Sequence, residues 1–217
     1  MAICSVTEIK KCTVDSSRQD LVAGGPDTKI AVVEWLFDLL DKPANVMPDD
    51  TIHEFRPNGN PSEVFRVFYI KHSRSRGALG EIATLLRSIT ETRLLFTYYP
   101  IGAVVVDDIS TKVAIQEWLV NELDQPLDAP APVQQARAKE LHEYRPSGTS
   151  DDVVRIFYLP DTPTVAEFQR LVTSVRTDSN VRRLFTYNAL RAAVLRDTED
   201  RIVTAGKLFE ERTQAQR

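Results

Sequence analysis

The sequence predicts an α+β protein built from tandem two-layer β-α-β-β-α modules, each a three-stranded sheet with two helices on one face. Two observations lead to this. The first is repetition: HEFRPNGNPSEVFRVFYI from His53 recurs as HEYRPSGTSDDVVRIFYL from His142, and the 89-residue offset holds without a gap from 53–128 onto 142–217. Of these 76 aligned pairs 22 are identical, where chance gives about one in twenty, so a structural unit has been duplicated. The second is periodicity, which switches between the two-residue alternation of strands and the 3.6-residue spacing of helices in the same order in each copy.

Val64 to Ile70 (VFRVFYI) is β-branched and aromatic and reads as the first strand. Residues 78–89 place Leu79, Ile82, Leu85, Leu86 and Ile89 on one helical face, and the second copy carries Val165, Phe168, Leu171, Val172 and Val175 at matching spacing. Arg93–Tyr98 and Ala103–Val106 form a hairpin with Pro100 and Gly102 in the connection; its counterpart is Arg182–Tyr187 with Ala192–Leu195. A closing helix over 111–123 buries Val113, Ile115, Trp118 and Leu119, and Ile202, Ala205, Leu208 and Phe209 do the same in the last module. Along the first strand, Arg66 and Phe68 share one side, as do Arg155 and Phe157. The recurrence of an Arg and a Phe there points to that side as the one packed against a neighbouring module.

A partial third copy lies upstream. Ile30–Leu36 matches Val113–Leu119, and Leu40-Asp41-Lys42-Pro43 matches Leu123-Asp124-Gln125-Pro126. The expected organisation is a partial β-β-α module over 1–43, full modules over 53–126 and 142–217, and an exposed Ala/Pro-rich linker over 127–141. The front module lacks strand one and a helix. An incomplete sheet leaves an edge, and edges seek partners, so this half module should dock on its neighbour or mediate self-association.

The composition argues against several kinds of chemistry. The chain has 27 Lys+Arg against 31 Asp+Glu, 42% hydrophobic and 27% charged residues, which is ordinary for a soluble globular protein. A mildly acidic chain is a poor general binder of phosphate backbones. No apolar run approaches the roughly 18–20 residues of a membrane span, and no export signal is visible in MAICSVTEIKKC. Cys4 and Cys12 are too far apart in sequence for a C-x-x-C pair and read as small hydrophobes in or beside a strand. His53 and His142 sit in equivalent His-Glu-aromatic-Arg-Pro segments, which read as a strand or turn lead-in with Glu54–Arg56 and Glu143–Arg145 pairing. Neither forms H-E-x-x-H. No catalytic constellation, metal set or cofactor motif is found, so a non-enzyme is expected.

One loop has a possible mechanism. KHSRSRGALG, residues 71–80, runs Lys71, His72, Arg74 and Arg76 into Gly77 and Gly80 at the mouth of a helix. A G-x-x-G loop with basic residues can clamp a phosphate. Lys71, Arg74, Arg76, Gly77 and Gly80 are therefore candidates for anion, nucleic-acid or partner binding. The equivalent loop of the second copy, Pro160–Gln169, keeps neither glycine nor any basic residue.

The segment FTYNALRAAVLRDTEDRIVTAGKLFEE, Phe185–Glu211, resembles the small KH-like β-α-β-β-α modules of secretin N-domains, the ring-building units of bacterial envelope machines. Val194–Thr198 with Ile202 and Leu208 carry the likeness, as do Val104–Asp107, Val113 to Leu119 and Leu123-Asp124. The FTYN and HEYRP repeats also resemble a family of uncharacterised bacterial proteins that carry the module in tandem. The resemblance implies association between modules or with other envelope proteins, and favours the periplasm or envelope. It implies no channel, since no pore-forming β-domain is visible.

Overall fold

The computed structural model describes residues 2–15, 17–18, 20–43, 52–60, 62–147 and 151–215. In chain order the half module contributes α1 (Ala2–Val6), β1 (Lys11–Asp15), β2 (Asp20–Gly24) and α2 (Asp27–Leu40). The first full module contributes β3 (His53–Phe55), β4 (Val64–Tyr69), α3 (Arg76–Thr90), β5 (Leu94–Tyr98), β6 (Ala103–Asp108) and α4 (Ser110–Leu123). After α5 (Ala131–Lys139), the second contributes β7 (His142–Tyr144), β8 (Asp152–Tyr158), α6 (Val165–Ser179), β9 (Arg183–Tyr187), β10 (Ala192–Thr198) and α7 (Glu199–Ala215). The fold is α+β.

Local chemistry fixes the helix ends. Ser75 caps α3, its hydroxyl accepting from the Ala78 N–H at 3.2 Å. Thr164 and Glu167 form a capping box on α6. Both helices stop at a left-handed residue, Glu91 (φ 55°) and Asn180 (φ 53°), 89 positions apart.

The sheets differ from expectation in one respect. Each full module has four antiparallel strands, in the orders β3-β4-β6-β5 and β7-β8-β10-β9. The added strand is the His-Glu-aromatic segment, too short to show alternation. It is braced by charge: Glu54 accepts from Arg56 at 2.7 Å and from Arg66 at 2.9 Å, and Glu143 serves Arg145 and Arg155 in the same way. The connection over 127–141 also differs, because it contains helix α5. Pro132 sits in its first turn, where a missing N–H costs nothing, and Gln134, Gln135, Ala136 and Arg137 carry it on.

Both faces of each full sheet are covered. Val64 and Phe68 of β4 face their own helices α3 and α4, while Phe65 and Val67 pack against Val6, Val32, Leu36 and Leu40 of the half module. In the second module Val153 and Phe157 face α6 and α7, and Val154, Ile156 and Tyr158 pack against α3 and α4. The molecule is thus a stack of hairpin, helices, sheet, helices, sheet, helices, with α3 and α4 shared between two sheets. This corrects the expected role of the Arg and Phe side. Arg66 bonds Glu117 of its own α4 at 2.5 Å, and Phe157 stacks on Phe209 of its own α7 at 5.0 Å. The side that meets the preceding module is that of Tyr69 and Tyr158.

The half module starts earlier in the motif than expected. Ser5-Val6-Thr7-Glu8 corresponds to Ser88-Ile89-Thr90-Glu91, an offset of 83 that runs without a gap to Pro43 and Pro126. Glu8 takes the same left-handed conformation as Glu91, at φ 53°. Helix α1 is therefore the last turn of a first helix. Its return places Cys4 beside Cys12 with Cα atoms 6.3 Å apart, and the two are joined as a disulfide. The reading of both as simple small hydrophobes is overturned, because the turn at Glu8 brings together residues that sequence spacing keeps apart. A loop this short gives a bridge worth about 2–3 kcal/mol. Cys4→Ser with Cys12→Ser is expected to raise amide exchange in β1 and β2 while leaving β10 unchanged, as read by residue-resolved hydrogen exchange.

Candidate functional site

The junction between modules occurs twice with the same parts. Tyr69 donates its hydroxyl to the Leu39 carbonyl at 3.1 Å, and Tyr158 donates to the Glu122 carbonyl at 2.8 Å. Trp35 packs on Phe55 with ring centroids 5.6 Å apart, and Trp118 on Tyr144 at 5.7 Å. Leu36 and Leu40 are buried against the first sheet as Leu119 and Leu123 are against the second. The equivalent Glu8 and Glu91 each pair across the junction, Glu8 with Arg93 and Glu91 with Arg183, the neighbour of Arg93's equivalent Arg182. Such a junction is head-to-tail, so it could in principle continue at either end.

At the C-terminal end it does not continue. The residues of α3 that stay buried in the equivalent α6 face the module's own sheet: Leu79, Ile82, Ala83 and Leu86 become Phe168, Leu171, Val172 and Val175. The residues that dock the next sheet become polar. Leu85, Ile89, Trp118 and Leu123 are replaced by Ser174, Asp178, Lys207 and Arg212. Arg212 bonds the Ser174 hydroxyl at 2.6 Å and pairs with Asp178. The outer face of this helix layer is polar and internally paired, like the capping face of a stacked repeat.

The N-terminal end is different. In the full modules the central hairpin strand pairs on both sides: β6 with β4 and β5, β10 with β8 and β9. The equivalent β2 pairs only with β1 among the described residues. Between its open edge and α2 lies a groove of about 530 Å³. Its floor includes Leu21, Ala23, Val33 and Phe37, and its rim carries Asp20, Glu34 and Asp38. Val22 is 58% exposed and Phe37 37%. At an offset of 83 these floor and rim positions correspond to residues of β6 and α4 that flank β4. The groove lies where β4 sits beside β6 and α4 in the first full module.

The basic loop lies at the junction between the full modules. The backbone N–H groups of Lys71, His72 and Ser73 donate to the Asp124 carboxylate at 2.6, 2.8 and 3.1 Å. Asp124 thus occupies the anion position these amides create. Gly77 and Gly80 lie inside α3 rather than in the loop before it. Arg76 stacks over the Tyr99 ring at 4.9 Å, and Arg74 lies against Gly102. Ser73 is buried and bonded to the Tyr187 hydroxyl, and Glu81 accepts from the Asn188 N–H at 2.9 Å. The sequence reading missed Asp124 and Glu81; Asp124 was visible only as part of the repeated Leu-Asp-x-Pro.

The histidines belong to the same junctions. His142 contacts Glu122 at 2.7 Å and the Arg137 carbonyl at 2.9 Å, edge-on to Tyr158, and His53 is edge-on to Tyr69. Among the described residues no three His, Cys, Asp or Glu side chains are placed to hold a metal.

One acid at the first junction is poorly matched. In the second module Arg196 pairs with Asp152 at 2.6 Å; the equivalents in the first are Asp107 and Glu63. Burial first, then Glu63, Asp108 and Glu8, push the Asp107 carboxyl up to about 7, with Lys29 opposing. The fold therefore favours protonated Asp107. The stability this contributes is fully present below the ordinary carboxyl value of 3.8 and is lost as pH rises through about 7. Asp107→Asn is expected to raise Tm by about 2–4 °C above neutral pH, the shift that ~1 kcal/mol gives a chain of this size. It should change little near pH 4. Scanning calorimetry at both pH values checks this.

No family model matches the chain, and no curated protein matches its sequence. Among solved structures it is similar to the N-terminal domain of the secretin XcpQ from Pseudomonas aeruginosa, with 13% identity, 96% of this chain and 90% of that chain covered, and a TM-score of 0.31. It is also similar to Aeromonas hydrophila ExeD, with 14% identity, 94% and 35% covered, and a TM-score of 0.27. Superposition this loose supports no functional step.

Proposed function

We propose that the chain is a non-enzymatic tandem-module protein that works by holding another protein at its half-module end. The observation that carries this reading is the inequality of the two ends. The junction surface of α6 and α7 is polar and internally paired, whereas β2 keeps an open edge beside a partly apolar groove. Long exposed edges are binding templates unless blunted. The two ends are not complementary to each other, so the intact chain on its own is a monomer rather than a head-to-tail polymer. The Cys4–Cys12 disulfide supports an oxidising compartment, such as the periplasmic side of a cell envelope.

Photo-crosslinking in a cell that produces the protein tests this. A crosslinking residue at Val22 is expected to capture a protein partner, and one at Lys207, also exposed but at the other end, to capture none. Equal capture at both positions, or none at Val22, would overturn the reading.

A further inference from the structure

The half-module groove is more specific than a sticky edge, because β4 of the first full module shows how a strand fills the equivalent place. In the first full module the seat is filled by β4. Arg66 lies opposite Val106 and Phe68 opposite Val104 in the antiparallel register with β6. The Arg66 guanidinium reaches Glu117 on α4, and Phe68 points into the core beside Val120. At an offset of 83 those four acceptor positions are Ala23, Leu21, Glu34 and Phe37. Glu34 is exposed and corresponds to the carboxylate that holds Arg66. Asp20 and Asp38 extend the negative rim where the full module has Ala103 and Asn121. Phe37 in place of Val120 raises the floor, so a smaller apolar side chain than Phe68 fits over it.

We infer that the open edge of β2 accepts an extended segment of a partner protein, paired antiparallel to β2, with an Arg or Lys two residues before an apolar residue. The basic side chain meets Glu34, and the apolar one covers Leu21 and Phe37. Main-chain bonds supply affinity and the alternating side chains supply specificity, as in other strand additions. Of this chain's own strands with this pattern, β4 and β8 are each paired on both sides, and freeing one would unfold a module; β9, with Arg183 and Phe185, carries it at a sheet edge, so the concentration dependence below separates a second copy from a partner.

This strand-acceptor role rests on the association reading, but it can fail separately. The probe is a fluorescent synthetic peptide with the sequence of residues 62–72 carrying Phe68→Leu, offered to the intact full chain. Binding is read by anisotropy, and its place by residue-resolved amide exchange. The expected result is protection of the β2 amides that point away from β1. Affinity should fall by about tenfold or more with Glu34→Arg, and should recover with a peptide in which the arginine is replaced by Glu. Glu34 is exposed, so its replacement does not threaten the fold. Three outcomes would overturn the inference: no protection of β2 at saturating peptide, unchanged affinity with Glu34→Arg, or protection of β2 that grows with protein concentration in the absence of peptide. Val22 crosslinks that persist alongside any of these would leave partner binding standing and remove only the strand-addition mode.

Discussion

Leu119→Ala is expected to destabilise the chain by about 2–5 kcal/mol, the range for a leucine removed from a closed core. The same substitution at the equivalent Leu208 should cost about 1 kcal/mol or less. The two positions are 89 residues apart in repeated sequence, yet they sit in different layers. Leu119 lies in the shared helix layer with no exposed surface, between its own sheet and the face of Val154 and Ile156. Leu208 is on the outer layer and only partly buried. Leu36, the third equivalent, is fully buried against the first sheet and should behave like Leu119. Urea unfolding of the three variants checks the order. Equal losses at Leu119 and Leu208 would mean that the modules do not share a layer.

Reversing the C-terminal cap should produce the opposite kind of effect. Ser174→Leu, Asp178→Ile, Lys207→Trp and Arg212→Leu together would copy the docking face of α3 and α4 onto α6 and α7. They would also remove the pairing of Arg212 with Asp178 and Ser174. The result is a contiguous exposed apolar patch of the kind that marks interfaces. The variant is expected to self-associate at roughly micromolar concentration, while the parent chain stays monomeric. Analytical ultracentrifugation over a concentration series reads this directly. A monomeric variant would show that these four positions do not control the end of the stack.

A consequence concerns truncation. Residues 1–43 cover the apolar face made by Phe65, Val67, Ala103 and Val105. Deleting them would bare that face and create an artificial association surface. Experiments on the half module should therefore use point substitutions rather than deletion.

The repeat made most of the architecture legible, because a shared offset aligns strands, helices and caps at once. What it concealed follows from physical causes. VFRVFY is apolar on both of its alternating faces, a pattern that belongs to a strand covered on both sides. Sequence alone could not say which cover came from which module, and the side of Arg66 and Phe68 was assigned to the wrong neighbour. The strands His53–Phe55 and His142–Tyr144 are too short to show alternation. Helix α5 is masked in the sequence by Pro130 and Pro132, which sit at its start rather than inside it. The last turn of a first helix in Val6-Thr7-Glu8 shares only Thr and Glu with Ile89-Thr90-Glu91, too short a match to stand out in the sequence. The groove beside β2 could not be read at all. Only the packing of β4 in the neighbouring module shows its shape.

The open edge of β2 is the point on which the account turns. Residue-resolved amide exchange of the full chain, without any partner, measures it most directly. Alternate amides of β2 pair with β1 and should be protected; the others point into the groove and should exchange at rates close to those of an unfolded chain. The equivalent amides of β6 and β10 should be protected on both sides. If every amide of β2 is as protected as those of β6, the edge is already occupied, and the half module is not an acceptor.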